Sequence, residues 1–265
     1  MPELPDISVY IAALKTRLLG ARASKFVFQS PFVLRTVEPA SDEFVDREIV
    51  DLRRIGKRIA LGFEQDYWIV IHLMIAGRFA WLEPQKKVPK AALAYLEFEH
   101  GTLALTEAGS KKRASIHLSQ TADVYADFDP GGAEIAELNP AEFGKVLTKN
   151  NHTLKRALTD PKLFSGIGNA YSDEILHHAK LSPIQQTQKL ETADIENLFS
   201  ACVEVLQTWT ERLADFYGDK FPTKVTAFRE GMAVHGRYQQ ACPVCGTAVQ
   251  RIRYATNEVN YCPRC

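Results

Sequence analysis

Four of the five cysteines in this chain stand in its last stretch, as Cys242-x2-Cys245, sixteen residues, and Cys262-x2-Cys265. Each C-x2-C pair places two thiolates on one tetrahedral ion, and the span between them suits a hairpin that returns the second pair to the first. The spacing predicts one structural zinc held by these four ligands. No coordination position is left open, so the metal would serve the fold and not catalysis. The fifth, Cys202, falls on the apolar face of a predicted helix and reads as core.

The rest of the chain changes character near residue 130. Before it lie short segments rich in Val, Ile, Phe, Tyr and Leu: Lys25 to Gln29, Ile49 to Arg54, Arg58 to Phe63, Trp68 to Met74, Arg78 to Leu82, Leu93 to Glu99, Thr102 to Thr106 and Ser115 to Leu118. Turn residues such as Gly56, Asp66 and His100-Gly101 separate them, as in an antiparallel sandwich or barrel. Ahead of this sheet, Ile7, Tyr10, Ile11, Leu14 and Leu18 recur with the period of an amphipathic helix. Asp129 to Gly132 reads as a linker, and the chain beyond it is mostly helical. Asn139-Pro140 supplies an N-cap and a proline at the first helical position, Thr153 starts a second helix, and a long one runs from Thr192 to Tyr217. The fold class is α+β multidomain: 1–127 an N-terminal helix with a β-sandwich, 132–230 a helical domain, and 235–265 a zinc hairpin.

With 46% hydrophobic and 24% charged residues, the composition is that of a folded protein and excludes disordered and collagen-like chains. The N-terminus lacks a basic, then apolar, export signal, and the apolar run from Tyr67 to Leu82 is broken by His72, Gly77 and Arg78. We therefore expect a cytoplasmic protein with no membrane partner. Lys plus Arg balance Asp plus Glu at 32 each, so a polyanionic partner must be argued from local clusters. Two exist. Lys111, Lys112 and Arg113 follow Gly109-Ser110 in a loop, where a solvated turn is the plainer reading. Arg229, Arg237, Arg251, Arg253 and Arg264 outnumber Glu230 and Glu258 around the cysteines.

Chemistry enters at the first residues. Pro2 follows Met1, and removal of the methionine would expose a secondary amine on a rigid ring. Such an amine adds to an aldehyde-like carbon and forms an iminium ion, which activates the adjacent C–H bond for elimination. Glu3 stands next to it for proton transfer. Pro5 and Asp6 mark the start of the first helix, whose positive end favours the neutral, nucleophilic amine. Taken alone, Pro2 reads more plainly as a stop at a frayed terminus.

The company of these residues decides between the two. MPELPD, IGKR around Lys57, HLMIAG from His72, SGIGNAYSDEIL from Ser165 to Leu176 and HGRYQQACPVCG from His235 occur in this order in the formamidopyrimidine-DNA glycosylase and endonuclease VIII family, which the chain resembles over essentially its whole length. The resemblance implies a helix-two-turn-helix DNA-binding domain and a base-excision repair glycosylase with associated abasic-site lyase activity. It makes Pro2 the nucleophile at C1′ of a damaged nucleotide, Glu3 the acid assisting ring opening, and Lys57 a phosphate contact. Gly168 and Asn169 would approach the DNA backbone, with helix N-terminal amides pointing outward. Met74 or Ile75 would be the apolar wedge filling the gap left by the extruded base, although both also suit sheet core. The loop of Lys111, Lys112 and Arg113 would face DNA, as would Arg237, Arg253 and Asn257 of the hairpin. The partner is damaged or abasic-site double-stranded DNA, bound by a monomer.

Three departures from the family pattern bear on specificity. Asp6 stands where the family has Glu. Asn257 occupies the place, five residues before the third cysteine, of an arginine that grips the phosphates flanking the flipped nucleotide. The loop TEAGSKKRAS lacks the family's phenylalanine. Altered lesion specificity follows from these. A catalytically weak binder of damaged or structured DNA is the alternative, and a zinc-stabilised scaffold for protein partners is a third reading that would leave the basic clusters without a role.

Overall fold

The computed structural model describes the chain except residues 109–110, 224, 226–227 and 255–256 and the side chains of Tyr254 and Asn257. The backbone divides into two compact units. The first comprises residues 1–2, 6–129 and 213–225, the second residues 3–5, 130–212 and 226–265.

In the first unit, helix α1 (Leu4–Leu18) contributes its residues from Asp6 onward. Ile7, Tyr10, Leu14 and Leu18 are fully buried, as their period requires. Eight strands follow: β1 (Lys25–Phe28), β2 (Ile49–Ile55), β3 (Arg58–Phe63), β4 (Tyr67–His72), β5 (Gly77–Leu82), β6 (Ala92–Phe98), β7 (Gly101–Glu107) and β8 (Ser115–Gln120). They form two four-stranded antiparallel sheets, ordered β1-β6-β7-β5 and β2-β3-β4-β8. Phe26, Phe79, Leu96 and Leu103 of one sheet and Leu52, Leu61, Ile69 and Ile71 of the other share one core with α1. Alternation sends Trp68 and Val70 to the opposite face. There they meet Ile55, Ala60 and Val124, the last from a short helix α2 (Val124–Phe128).

One strand ends two residues before the sequence predicts. β4 ends at His72, not Met74, because Met74 takes a left-handed conformation (φ 52°) that no strand accommodates. Leu73 to Gly77 instead forms a tight turn closed by Gly77 N–H donating to Leu73 O at 2.8 Å. A Cβ at position 77 would fall 2.2 Å from that same oxygen, so only glycine fits.

The second unit is helical. α3 (Pro140–Thr148) opens with Asn139 and Glu142 in a reciprocal capping box, each side chain accepting the other's backbone N–H at 3.0 Å. Thr153 caps α4 (Leu154–Thr159), and α5 (Asn169–Ala179) ends on Lys180 in the left-handed region. α6 (Thr192–Tyr217) carries Leu198, Cys202, Val205, Leu206 and Trp209 on its buried face, with residues up to Arg212 in this unit. Burial pushes the Cys202 thiol far above its ordinary pKa, which makes it inert core. A two-stranded hairpin, β9 (Gln250–Tyr254) and β10 (Asn257–Tyr261), completes the unit. Among the described residues, no helix is long and apolar enough to cross a membrane.

Candidate functional site

In the second unit the SGIGNAYSDEIL segment builds the start of α5. The Gly168 cap has no side chain to satisfy the first helical amides, and Glu3 does so instead. Its carboxylate accepts from Gly168 N at 2.7 Å, Ala170 N at 2.9 Å and Tyr171 N at 3.1 Å. The side chain is 1% exposed, and an anion at a helix N-terminus is favoured by the helix dipole. These three amides therefore do not point outward toward a phosphate, as the sequence led us to expect. Asn169 is half-buried and donates its Nδ2 to Glu258 O at 2.9 Å, which ties the start of α5 to β10.

Behind this turn lies a polar cluster that the sequence reading missed. Lys155 Nζ reaches Asn169 O (2.6 Å), Ser172 Oγ (2.8 Å) and Asp173 Oδ1 (2.5 Å). The other oxygen of Asp173 meets His235 Nδ1 at 2.7 Å and accepts Asn260 N–H at 3.2 Å. Glu174 accepts the amides of Ala233, Val234 and His235 at 2.6 to 2.9 Å. Burial pulls the Lys155 pKa down, against the opposing pull of Asp173. The available signal was the acid pair Asp173-Glu174 beside Ile175 and Leu176, on a helix too apolar to leave two carboxylates unpartnered.

The four cysteines converge. Their sulfurs lie within 4.8 Å of one another, with Cys242 to Cys265 at 3.8 Å and Cys245 to Cys262 at 3.4 Å. A tetrahedral ion with bonds of about 2.3 Å requires sulfurs about 3.8 Å apart, so the donor set fits zinc. Val234 and Val249 pack against it.

The hairpin arginines are differently placed from one another. Arg237 was expected at DNA, but its guanidinium is committed to the carbonyls of Met232 and Ala241 at 3.0 Å each and to Gln240 Oε1 at 3.1 Å. It braces the loop that enters the cysteine cluster. Arg251 and Arg253 both donate to Glu258 Oε2, at 3.2 and 3.3 Å, and Arg253 remains 64% exposed. Arg251 also stacks on the Tyr238 ring, 3.9 Å from its centroid. The Asn257 side chain lies outside the described residues.

In the first unit, Pro2 and Asp6 are buried. Lys57 sits in the turn between β2 and β3. Next to it, Arg58 pairs across the ladder with His72. His72 is pushed down to about 4 by burial first, then by the positive charges of Arg58, Lys57 and His117. In the turn after it, Ile75 is 58% exposed, which removes the sheet-core reading for that residue, while Met74 is half-buried. Lys111, Lys112 and Arg113 are exposed. Buried Glu107 organises their loop, accepting Arg113 N–H at 2.7 Å and Ala114 N–H at 3.0 Å, and Lys112 Nζ donates to Glu107 O. Gly109-Ser110 lie outside the described residues.

Comparison with known proteins places this geometry. The sequence profile of the formamidopyrimidine-DNA glycosylase N-terminal domain matches residues 1–115, and that of the formamidopyrimidine-DNA glycosylase H2TH domain matches residues 132–215. Proteins named formamidopyrimidine-DNA glycosylase from Rickettsia africae and Listeria monocytogenes are 27% and 26% identical, aligned over 100% of this chain and 99% of their own. Among solved structures, MutM in complex with carbocyclic 8-oxo-G containing DNA has a TM-score of 0.89 at 24% identity, over 100% of this chain and 99% of its own. The Lactococcus lactis Fpg complexed with abasic-site DNA has a TM-score of 0.87 at the same identity, over 99% and 98%. These two likenesses establish the fold.

Proposed function

The chain belongs to the formamidopyrimidine-DNA glycosylase family, a family of base-excision repair glycosylases, and on that premise we propose that it is bifunctional, with an abasic-site lyase activity carried by Pro2. After loss of Met1, the Pro2 nitrogen attacks C1′ of a damaged nucleotide. The C1′–N bond to the base breaks and the base leaves with a proton. Glu3, a carboxylate at rest, takes the proton that the attacking amine sheds and passes it to the ring oxygen as the sugar opens, giving an iminium between Pro2 and C1′. Loss of a C2′ proton then expels the 3′ phosphate, and water releases the amine.

The observation that carries this reading is Glu3 anchored by three amides, which holds the residue adjacent to Pro2 in one place. Lys57, the loop of Lys111 to Arg113, Asn169, Arg253 and Asn257 are the proposed DNA contacts, with Ile75 ahead of Met74 as wedge. Arg237 is withdrawn from that set. The four cysteines hold zinc, the protein acts in the cytoplasm as a monomer on damaged or abasic-site duplexes, and the domains are those read from the sequence. Asp6 and the loop without phenylalanine support a lesion preference of its own. The pairing of both Arg251 and Arg253 with Glu258 favours the second reading, a weak enzyme that mainly binds, because it reduces the charge the hairpin offers to phosphate.

Borohydride trapping across a panel of lesion duplexes, an abasic site included, tests this. The wild type should give a covalent adduct on at least one duplex. Pro2→Gly should trap less, and a form extended at its N-terminus should not trap. An extended form that traps as well as wild type would exclude Pro2 as nucleophile, and binding without any adduct would establish the second reading.

A further inference from the structure

The turn from Leu73 to Gly77 presents a conformational problem. Met74, with a Cβ, sits at φ 52°, a region that disfavours every residue except glycine and, less strongly, asparagine. Such a conformation persists only where its surroundings hold it. Two bonds do so here. Gly77 N–H closes the turn on Leu73 O, and Met74 N–H donates to Nδ1 of His72 at 2.9 Å. The second bond requires an unprotonated Nδ1, so the imidazole must be neutral with its hydrogen on Nε2.

The sheet around His72 favours that state. Arg58 lies opposite it on β3, His117 is on β8, and Lys57 stands in the β2–β3 turn, and all three oppose a further positive charge on the ring. The neutral acceptor thus persists well below physiological pH. Immediately after Met74, Ile75 projects into solvent from a turn whose other end is fixed by a glycine that nothing can replace.

We propose that His72 is a positioning residue for the wedge: through Nδ1 it holds Met74 left-handed and so aims Ile75 at the gap left by an extruded base. This rests on the reading of the turn as a DNA wedge. Losing the acceptor frees Met74 to relax to an ordinary conformation, and the turn is then misaimed most of the time.

Histidine's two nitrogens have separate mimics, since asparagine places an acceptor near Nδ1 and glutamine near Nε2. The experiment uses the full chain and an abasic-site duplex with 2-aminopurine opposite the site, whose fluorescence rises when it is unstacked. His72→Asn should keep the wild-type signal. His72→Gln and His72→Phe should lower the equilibrium for wedge insertion about tenfold, the scale of one strained residue. Adding Met74→Gly to His72→Phe should restore it, because glycine holds this conformation without help. Retention by Gln with loss by Asn would overturn the proposal in favour of a role for Nε2, and so would failure of Met74→Gly to rescue. A signal undiminished in His72→Phe overturns the proposal alone. A wild type that binds the duplex without unstacking 2-aminopurine removes the wedge reading and the proposal together.

Discussion

Glu3 Oε2 accepts the amide of Gly168 at 2.7 Å, across 165 residues of sequence, and a Cβ on Gly168 would fall 2.5 Å from the Glu3 carboxyl carbon. The backbone of position 168 is extended, so glycine is needed there for close approach and not for its dihedrals.

Two substitutions should therefore damage the same joint. Glu3→Gln turns an –NH2 toward amide donors, and Gly168→Ala expels the carboxylate. Each should cost about 1–3 kcal/mol, the penalty for leaving buried donors unmatched. Urea denaturation measures this. A Glu3→Gln midpoint equal to wild type would mean the carboxylate does not hold α5.

Glu258 neutralises two arginines at once. Glu258→Gln should tighten DNA binding and steepen its salt dependence by about 0.9 per arginine freed. Asn257→Arg should steepen it by about one further phosphate contact while leaving discrimination among lesions unchanged, since phosphate contacts do not read bases. Affinities at several salt concentrations decide. An unchanged slope in both variants would place the hairpin's charges away from the DNA.

Acid should weaken the β-rich unit through His72. Its pKa is pushed down to about 4 in the folded chain, against 6.5 ordinarily. Between those values the unfolded chain binds a proton that the folded chain refuses. Stability is therefore complete above pH 6.5 and falls as pH drops toward 4, by up to about 3 kcal/mol. His72→Asn, which cannot titrate, should flatten this limb in urea midpoints measured from pH 7 to 4. Parallel limbs for the two proteins would show that the imidazole is solvated.

The cysteine cluster should hold about one zinc by elemental analysis. Cys262→Ser or chelation should abolish DNA binding while the β-sheet signal persists, because a closed four-thiolate site stabilises the hairpin around it. Global unfolding on metal loss, or metal-free purified protein, would contradict this.

All eight strands of the sandwich, the 26-residue α6 from Thr192 to Tyr217 and the cysteine pairs were legible in the sequence. Each is written in signals that act over a few residues: alternation, helical period, capping chemistry and ligand spacing. Strand β4 was overrun by two residues because Leu73 and Met74 continue its apolar pattern, and only the turn closed by Gly77 bends the chain away. Glu3, Asp173 and Arg237 were beyond local reading for a common reason. Their partners lie far away in sequence or in irregular loops, and which groups need one is known only once the chain has folded. Sequence determined that this chain would be a helix with a sandwich, a helical unit and a hairpin that gathers four cysteines. Tertiary structure decided which of its charges are used inside the protein and which remain for a ligand, because a buried charge is costly unless the fold brings it a partner.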